Sequence, residues 1–430
     1  MKVLIATMPF AGHIHPAQPI ARALVRRGHS VAWLTSASHE HLVTPTGATF
    51  MASPPALARH DETPLAPEPG TSGLAAVVST LRQLFLDRVP DQVAAYRAVL
   101  EDFAADVLLV DLTAYGAHCL RDLGGPPYAT LGINPLVTLD ADVPPWGTGW
   151  SPPKTPVGRW VNALAHTTAG RLLYPKLTAA LNEKRAALGL PPLPATGFFD
   201  ATRSDALHLM PTTPAFEFPR KNLHPAVTFV GPLLPLFGDN DGDAALPSWW
   251  GEMLVHPRDK VVHVTQGTYA TNAANLIAPT LSALGSRADL LVIVTTPNTE
   301  TAFPAGTLPA NARVADFVPH AKLLPHVGVM VTNAGYNGVL AALSCGVPMV
   351  CAGRTEDKAD VSSRVAWSGA GIDLGTNTPG EKALGAAVER IVSDPKYRRA
   401  AERIRDDFAK HNGPEEAADH LEGLVKPGQK

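Results

Sequence analysis

Short apolar runs alternate with segments of helical periodicity along the first half of the chain. Buried β-strands are predicted at 2–7, 30–35 and 105–111. Between the first two strands, the periodicity predicts a helix with Pro16 in its first turn and Gly28 at its end. Because a strand, a helix and a second strand in this order form a parallel pair, the pattern predicts a doubly wound parallel sheet.

The second half shows the same alternation without repeating the sequence of the first. Its predicted strands are 261–265, 290–295, 327–331 and 347–351. No internal repeat with a period of about 20 to 50 residues is present. The two halves are therefore expected to share an architecture and not a sequence.

Three stretches break the periodicity. Residues 52–72 hold five prolines, and a loop of this length usually serves binding. Residues 133–170 are predicted to be irregular and apolar, and residues 232–255, rich in proline and glycine, to link two domains. The irregular apolar segment contains three tryptophans that suit a cleft wall and a core equally well: Trp146, Trp150 and Trp160.

Composition narrows the function classes. A chain of 430 residues is expected to hold two domains of about 200 residues each. The net charge of −3, with no stripe of Lys and Arg, argues against a nucleic-acid partner. Three cysteines without metal-ligand spacing suit reduced thiols, and no apolar window reaches the length of about 18 residues that a membrane span needs. We therefore expect a cytoplasmic protein without a membrane span, although contact with a membrane surface through an apolar substrate stays open.

The loop after the first strand lacks the G-x-G-x-x-G sequence of dinucleotide-binding folds, and the chain lacks a Walker A sequence. Neither hydride transfer from a bound dinucleotide nor nucleotide triphosphate hydrolysis is expected. Two Rossmann-like domains would instead enclose a cleft at the carboxyl ends of their strands.

A strand, a glycine-bearing turn and a helix follow one another directly between 327 and 345. The segment 332–338 carries the glycines of the turn, the helix is predicted at Tyr336–Cys345, and Gly346 is expected to end it. Such a turn points unpaired backbone N–H groups and the positive end of the helix at the space above the sheet. A phosphate group of a ligand is therefore expected there, although Gly335 could serve only the close packing of helix on strand.

The sequence also resembles a known family in several separated motifs. The motifs of its second half are Phe317–His320 with Leu324, Val331–Gly338, Gly346–Pro348 and Asp357–Lys358. Together they resemble the donor signature of the family 1 glycosyltransferases of the macrolide and flavonoid type. The segment Pro9–Pro16 resembles the N-terminal G-H-x-x-P segment of the same family. The resemblance implies the α/β fold called GT-B, in which two Rossmann-like domains face each other across a cleft.

The resemblance also implies a division of the chain. An N-terminal acceptor-binding domain is expected at 1–231, followed by the linker 232–255. A C-terminal nucleotide-sugar-binding domain is expected at 256–410. The helical segment 411–430 would pack back toward the N-terminal domain.

The resemblance assigns the catalytic base to His13. A histidine suits this role because its pKa lies near the working pH. Asp111, at the end of a neighbouring predicted strand, would accept the other ring N–H and stabilise the imidazolium. An ordinary strand-end acid that caps the next helix is the alternative for Asp111.

The nucleotide-sugar is expected to be a co-substrate, with no cofactor and no metal. Its expected contacts are Gly12, Gly267, Thr268, Phe317, Val318, His320, Asn333, Gly335, Asn337, Gly338, Asp357 and Lys358. The expected acceptor contacts are Phe10, Trp146 and Trp150. The oligomeric state does not follow from the sequence.

Several positions depart from the family pattern. Asn333-Ala334-Gly335 stands where the family usually has H-G-G, and Ala341 stands where a glutamate usually takes the ribose hydroxyls. His320 and Phe317 replace the usual glutamine and tryptophan, and Asp357-Lys358 replaces an acid–glutamine pair that reads the sugar. The reaction type is therefore better determined than the donor.

Three hypotheses follow. The first is an inverting, metal-independent transfer of a hexose from a UDP-sugar or TDP-sugar to a hydroxyl of an apolar small molecule, such as a phenol, flavonoid, macrolide or lipid. The second is a non-catalytic nucleotide-binding or auxiliary protein of the same fold. The third is an epimerase acting on a nucleotide-sugar. His13 favours the first, because a binding protein gains nothing from a base at that position.

Overall fold

The computed structural model describes residues 1–58, 73–236, 246–267, 272–297, 303 and 306–425. These residues form two α/β lobes, each built on one sheet whose paired strands are all parallel. The predicted α/β class with two Rossmann-like sheets is confirmed.

The sheet of the first lobe has seven strands. They are β1 (Lys2–Ala6), β2 (Ser30–Thr35), β3 (Thr49–Ala52), β4 (Val107–Asp111), β5 (Tyr128–Leu131), β6 (His208–Met210) and β7 (Val227–Phe229). Their order is β3-β2-β1-β4-β5-β6-β7. The order of winding reverses between β1 and β4, and ligands of open α/β sheets bind outside the carboxyl ends of the strands at such a point.

The sheet of the second lobe has six strands. They are β8 (Val261–Thr265), β9 (Leu291–Thr295), β10 (Ala312–Ala315), β11 (Val329–Thr332), β12 (Met349–Cys351) and β13 (Gly371–Asp373). Their order is β10-β9-β8-β11-β12-β13, so the winding reverses between β8 and β11.

Helices cover both faces of each sheet. The α-helices of the first lobe are Ala11–Ile14, Ala17–Arg26, Glu40–Val43, Pro55–Ala58, Gly73–Leu81, Val89–Phe103, Tyr115–Asp122, Pro156–Leu172, Tyr174–Ala187 and Gly197–Asp200. Those that follow are Trp250–Val255, Ile277–Leu284, His320–Leu323, Tyr336–Ser344, Lys358–Ser368, Glu381–Ser393, Lys396–Phe408 and Gly413–Leu424. None of the described helices is long and apolar enough to cross a membrane.

Strand side chains alternate between the two faces of each sheet. In the first lobe, Leu4 and Leu108 belong to the core on one face, whereas Ile5 and Leu109 belong to the core on the other. Each fully buried side chain of this size contributes about 1.5 to 3 kcal/mol of transfer free energy. Both faces are therefore apolar, as parallel sheets require.

The prediction that residues 133–170 are irregular is wrong over its last third. Residues 156–172 form the helix Pro156–Leu172. Pro156 lies in its first turn, and Thr155 caps it by accepting the N–H of Gly158 at 3.0 Å. The sequence pattern concealed this helix because its large apolar side chains face solvent, while Asn162 is buried.

The last helix, Gly413–Leu424, packs on the first lobe and not on the second. Its buried side chains, among them Leu421, join the core that contains Ile20 and Leu24. Arg27 holds the outer face of the helix through Glu415 and Asp419, each at 2.6 Å. The chain therefore returns to the lobe in which it began.

The helix Trp250–Val255 lies within the segment 232–255 that the sequence predicted to be a linker. Met253 is buried in the core of the second lobe. The end of this segment thus packs with the second lobe in the structure.

Candidate active site between the two lobes

His13 lies in the short helix Ala11–Ile14, directly after β1. Its Nδ1 is 3.3 Å from Oδ1 of Asp111, the last residue of β4, and the side chain is 13% exposed. The ring of Phe10 lies 5.2 Å away, measured between ring centroids. The parallel pairing of β1 with β4 brings these residues together, because both strands end at the same edge of the sheet.

Asp111 is buried, and its carboxylate accepts several hydrogen bonds. Its carboxylate accepts the N–H of Met8 at 2.7 Å and the N–H of Thr113 at 2.9 Å, together with the Thr113 hydroxyl. Burial alone would raise the pKa of this carboxyl, but the neighbouring His13 and the hydrogen bonds hold it below the ordinary value. Asp111 is therefore an anion at neutral pH.

The structure does not support the alternative that Asp111 caps the next helix. That helix, Tyr115–Asp122, begins after Ala114 and has no side-chain cap. Asp111 instead faces Nδ1 of His13, which leaves Nε2 as the nitrogen that can take a proton. This is the arrangement of a general base held by a carboxylate.

The glycine turn of the second lobe reaches the same place. The side-chain amide of Asn337 donates to the carbonyl of Gly12 at 3.1 Å, across 325 positions of sequence. This hydrogen bond joins the loop after β1 to the first turn of the helix Tyr336–Ser344. His13 and the predicted phosphate site therefore face the same cleft.

The turn itself leaves open space above its N–H groups. Gly335 precedes the helix Tyr336–Ser344 without a side-chain cap, and a Cβ atom added to Gly335 would meet nothing within 4 Å. The close-packing alternative for Gly335 is therefore not what the structure shows. Gly338 lies over His320, whose Cε1 is 3.8 Å from the position that a Cβ on Gly338 would take.

Asn333 connects this turn to the loop after β8. Its side-chain amide donates to the carbonyl of Gln266, and Gly267 follows with a φ of 74° in the left-handed region. The predicted contact Thr268 lies outside the described residues. Gly353, which the sequence reasoning missed, passes so close that a Cβ atom on it would lie 2.0 Å from the carbonyl oxygen of Asn333. Only glycine fits there.

His320, beside Gly338, packs against a second histidine, His263. Burial lowers the pKa of His320 to about 4. Its ring packs edge-on against His263 at 5.6 Å between centroids, and burial holds the pKa of His263 well below its ordinary value. Both imidazoles are therefore neutral at pH 7. The sequence reasoning missed His263, although a histidine in the apolar strand β8 is a detectable signal.

The remaining predicted donor contacts differ in exposure. Phe317 is 68% exposed, so its ring is accessible for stacking on a nucleobase. Val318 is buried in the core of the second lobe. Burial raises the pKa of Asp357 to about 6, against the opposing effect of Lys358. The ammonium of Lys358 is paired with Glu356. Ala341, which stands where the family usually has a glutamate, is buried in the core of the second lobe.

Two pockets are lined by residues of the first lobe. The first, of about 310 Å³, lies at the carboxyl end of β1, close to the helix that carries His13. Its walls are Ala6, Thr7, Met8, Pro9, Leu34, Ser53, Leu57, Gln92 and Tyr96. None of these residues was among the predicted acceptor contacts, because they come from four separated segments, although Pro9 belongs to the motif Pro9–Pro16.

Trp146 and Trp150 line a second pocket, of about 370 Å³, at the junction of the lobes. Trp146 also packs against the core of the first lobe, and Trp150 is 45% exposed. Of the predicted acceptor contacts, Phe10 thus lies beside His13, and the two tryptophans share a separate pocket.

Buried polar contacts fix the lobes to each other at this junction. Arg364 of the helix Lys358–Ser368 contacts Glu217 of the first lobe at 2.5 Å, and both side chains are almost fully buried. Asp360, on the same helix, accepts the N–H of Gly147 at 2.7 Å and of Gly149 at 3.1 Å. The helix that begins with Lys358 is therefore positioned by the loop that carries the tryptophans.

No cluster of three His, Cys, Asp or Glu side chains that could hold a metal ion occurs in the described part of the chain. His13, Asp111, Gly267 and Asn333 lie at or after the carboxyl ends of β1, β4, β8 and β11, where the winding of each sheet reverses. The predicted contacts at 317–320 follow β10, and those at 357–358 follow β12.

Comparisons with known proteins identify relatives of the chain in sequence and in fold. Residues 279–424 match the family described as erythromycin biosynthesis protein CIII-like, C-terminal domain. The chain is 37% identical to 4'-demethylrebeccamycin synthase of Lentzea aerocolonigenes, over 99% of both chains. It is 31% identical to UDP-glycosyltransferase 2 of Phaeomoniella chlamydospora, over 98% of this chain and 95% of that relative. The solved structure of the calicheamicin glycosyltransferase CalG4 matches with a TM-score of 0.75 at 20% identity, over 99% of this chain and 98% of that one.

Proposed function

The chain belongs to the family 1 glycosyltransferases of GT-B fold, and from this premise we propose an inverting, metal-independent transfer of a hexose from a UDP-sugar or TDP-sugar to a hydroxyl of an apolar small molecule. The observation that carries the proposal is the His13–Asp111 pair, joined to the glycine turn of the other lobe by the hydrogen bond from Asn337 to Gly12.

In this mechanism the acceptor hydroxyl gives its proton to Nε2 of His13 as its oxygen attacks the anomeric carbon. The bond from that carbon to the nucleotide diphosphate breaks on the opposite face, which inverts the configuration. Asp111 holds the imidazole through Nδ1 and stabilises the imidazolium that forms. A base placed in this way contributes about 10² to 10⁴ in rate.

The leaving diphosphate would be stabilised by the N–H groups at the start of the helix Tyr336–Ser344. Each helix-terminus contribution is about 0.3 to 1 kcal/mol when exposed, so several donors must act together. Phe317 would stack on the nucleobase of the donor, and Asp357 and Lys358 would contact the sugar of the donor. Contacts from Gly267 and Asn333 complete the proposed donor site.

An apolar acceptor would occupy the pocket beside His13. Its lining is largely apolar, and Gln92 is the one amide side chain among its described walls. The relative named for 4'-demethylrebeccamycin supports a natural product as the acceptor class. Metal independence belongs to the same proposal, and transfer that is lost on EDTA treatment and restored by a divalent cation would contradict it.

A donor panel tests the proposal. UDP-sugars and TDP-sugars are incubated with a mixed pool of phenolic and macrolide acceptors, and products are read by mass spectrometry. We expect an acceptor mass increased by one hexose, absent when His13→Ala replaces the unsubstituted chain. A product formed equally well by His13→Ala would overturn the proposed mechanism, and the configuration of the product's anomeric carbon tests inversion.

A further inference from the structure

The helix Pro156–Leu172 exposes an apolar face that no function described above uses. Its apolar stripe consists of Val157, Trp160, Val161, Leu164 and Leu172, which are between 38% and 72% exposed. These residues recur at helical spacing, so they lie on one side of the helix over a length of about 22 Å. A stripe of this length is larger than a small-molecule site.

The stripe points away from the acceptor pockets. The opposite side of the helix carries Asn162, which donates to the carbonyl of Ala141 at 2.9 Å, and His166, whose Nε2 lies 2.8 Å from the carbonyl oxygen of Val143. His166 also lines the pocket that contains Trp146. The polar side of the helix thus packs on the protein, and its apolar side faces solvent.

The Asp, Glu, Lys and Arg residues of the segment 143–182 all have one sign of charge. No Asp or Glu occurs between 143 and 182, although the whole chain has a net charge of −3. The same segment contains four basic residues, and all are exposed: Lys154, Arg159, Arg171 and Lys176. Lys154 lies over the ring of Trp367 at 4.5 Å. Arg159, two residues after Val157, lies by helical spacing on the opposite side of the helix, whereas Arg171, seven residues after Leu164, lies on the side of the stripe. Lys176 belongs to the next helix, Tyr174–Ala187.

We propose that this stripe docks the protein on an anionic lipid bilayer. A surface helix with Trp and Leu on one face and Arg or Lys at its edges binds at the boundary of headgroups and acyl chains. The basic side chains match the negative charge of such a surface. A twofold contact between two copies through this face is disfavoured, because it would bring the same basic residues opposite each other without an acidic partner.

Docking through this helix would place the junction pocket near the lipid surface, since Asn162 and His166 hold the loop that leads to Trp146. The inference does not rest on the proposed transfer reaction. It concerns a surface, and binding is measured without donor or acceptor.

The test is sedimentation of the purified full chain with vesicles. One set contains phosphatidylglycerol and phosphatidylcholine in equal parts, and the other contains phosphatidylcholine only. We expect binding to the anionic vesicles that weakens as salt is raised. Leu164→Glu and Arg171→Glu should each weaken this binding by about tenfold, since each places a negative charge against the anionic surface.

Val255→Glu is the matched control, because Val255 is a highly exposed apolar residue on another helix, Trp250–Val255. It should bind like the unsubstituted chain, and thermal unfolding shows whether each variant is folded. Absence of binding to anionic vesicles, or equal binding by Leu164→Glu, would overturn the proposal. A dimer in light scattering that Leu164→Glu dissociates, without vesicle binding, would assign the face to a second copy instead.

Discussion

At the scale of single residues, the proposed chemistry depends on a histidine and an aspartate that lie close together only in the fold. The carboxylate of Asp111 is shared among His13, Thr113 and the N–H of Met8. A buried anion of this kind is stable because each of its oxygens has donors. The contacts of the Asp111 carboxylate also fix its position beside His13. The same contacts therefore orient the imidazole and keep its partner ionised.

Replacing His13 tests the base directly. His13→Ala should lower the turnover number by at least about 100-fold, since proton transfer to a positioned base is lost. Nucleotide binding, measured by calorimetry, should stay nearly unchanged. His15→Ala is the control, because His15 pairs with Gln18 at 3.1 Å. Equal turnover in His13→Ala and the unsubstituted chain would remove His13 from the mechanism.

Asp111→Asn should lower the turnover number more than it changes the acceptor KM, because the amide cannot stabilise the imidazolium. The pKa of folded Asp111 lies below the value of about 3.9 for an unfolded aspartate. The ionised carboxylate therefore stabilises the folded state when the pH is above the pKa of Asp111 in the unfolded chain. This contribution is lost as the pH falls through the pKa of Asp111 in the folded chain.

Urea unfolding of both proteins from pH 7 into the acid range measures this linkage. The unsubstituted chain should be the more stable at pH 7, and the difference should shrink on acidification. A difference in the free energy of unfolding that stays constant with pH would show that the Asp111 carboxylate does not contribute in this way.

At the scale of elements, the turn between β11 and the helix Tyr336–Ser344 combines an open surface with a tightly packed support. Gly335 faces empty space, whereas Gly353 touches the backbone of Asn333 from behind. Their order along the chain does not distinguish these two glycines. Their surroundings give them different roles, one toward the proposed ligand and one toward the fold.

The two glycines give a matched pair of variants. Gly335→Ala should leave the melting temperature nearly unchanged, because φ is −62° and the added methyl meets nothing. If the diphosphate occupies that space, the donor KM should rise by about tenfold. Gly353→Ala should lower the melting temperature, since its Cβ would overlap the carbonyl of Asn333. An unchanged donor KM in Gly335→Ala would place the diphosphate elsewhere.

At the scale of the whole molecule, contacts from several separate segments join the two lobes. The returning helix Gly413–Leu424 packs on the first lobe, Asn337 reaches Gly12, and Arg364 meets Glu217. The last of these is an ion pair whose two side chains are almost fully buried. Because the desolvation of two charges is costly, a buried ion pair adds little net free energy to the stability of the fold. Removing one partner is strongly destabilising, since the other charge then stays buried without a partner.

Arg364→Met should therefore lower the free energy of unfolding by about 3 to 5 kcal/mol, because it leaves the carboxylate of Glu217 buried without its cation. Adding Glu217→Leu should recover part of this loss in a double-mutant cycle. The pair between Arg313 and Glu252, within the second lobe and partly exposed, is the control and should contribute about 1 kcal/mol or less. Additive effects of the two substitutions at 364 and 217 would show that this contact does not couple the lobes.

Much of the architecture followed from local pattern. Strands β2 and β8 have the predicted bounds, and the helix after β11 differs from its prediction by one residue. Periodicity sufficed because a strand buried on both faces is a continuous apolar run. The motifs around His13 and Asn333 were also visible, since glycine and histidine at a strand end have few structural explanations.

Other features required the tertiary structure. The short strands β3, β5, β10 and β13 were not predicted, because runs of three or four residues carry little pattern. The helix Pro156–Leu172 was missed because a helix was expected to bury its apolar side chains, whereas this helix exposes them to solvent.

The sequence by itself determined the two parallel sheets, the order of the lobes and the residue types at the strand ends, because these depend on local periodicity and on motifs. Only the tertiary structure decided which of those strand ends face one another. The distance from His13 to Asp111, the bond from Asn337 to Gly12 and the buried contact of Arg364 with Glu217 each join segments about 100 or more residues apart. Such contacts follow from the winding of the sheets and the docking of the lobes, which no local pattern encodes.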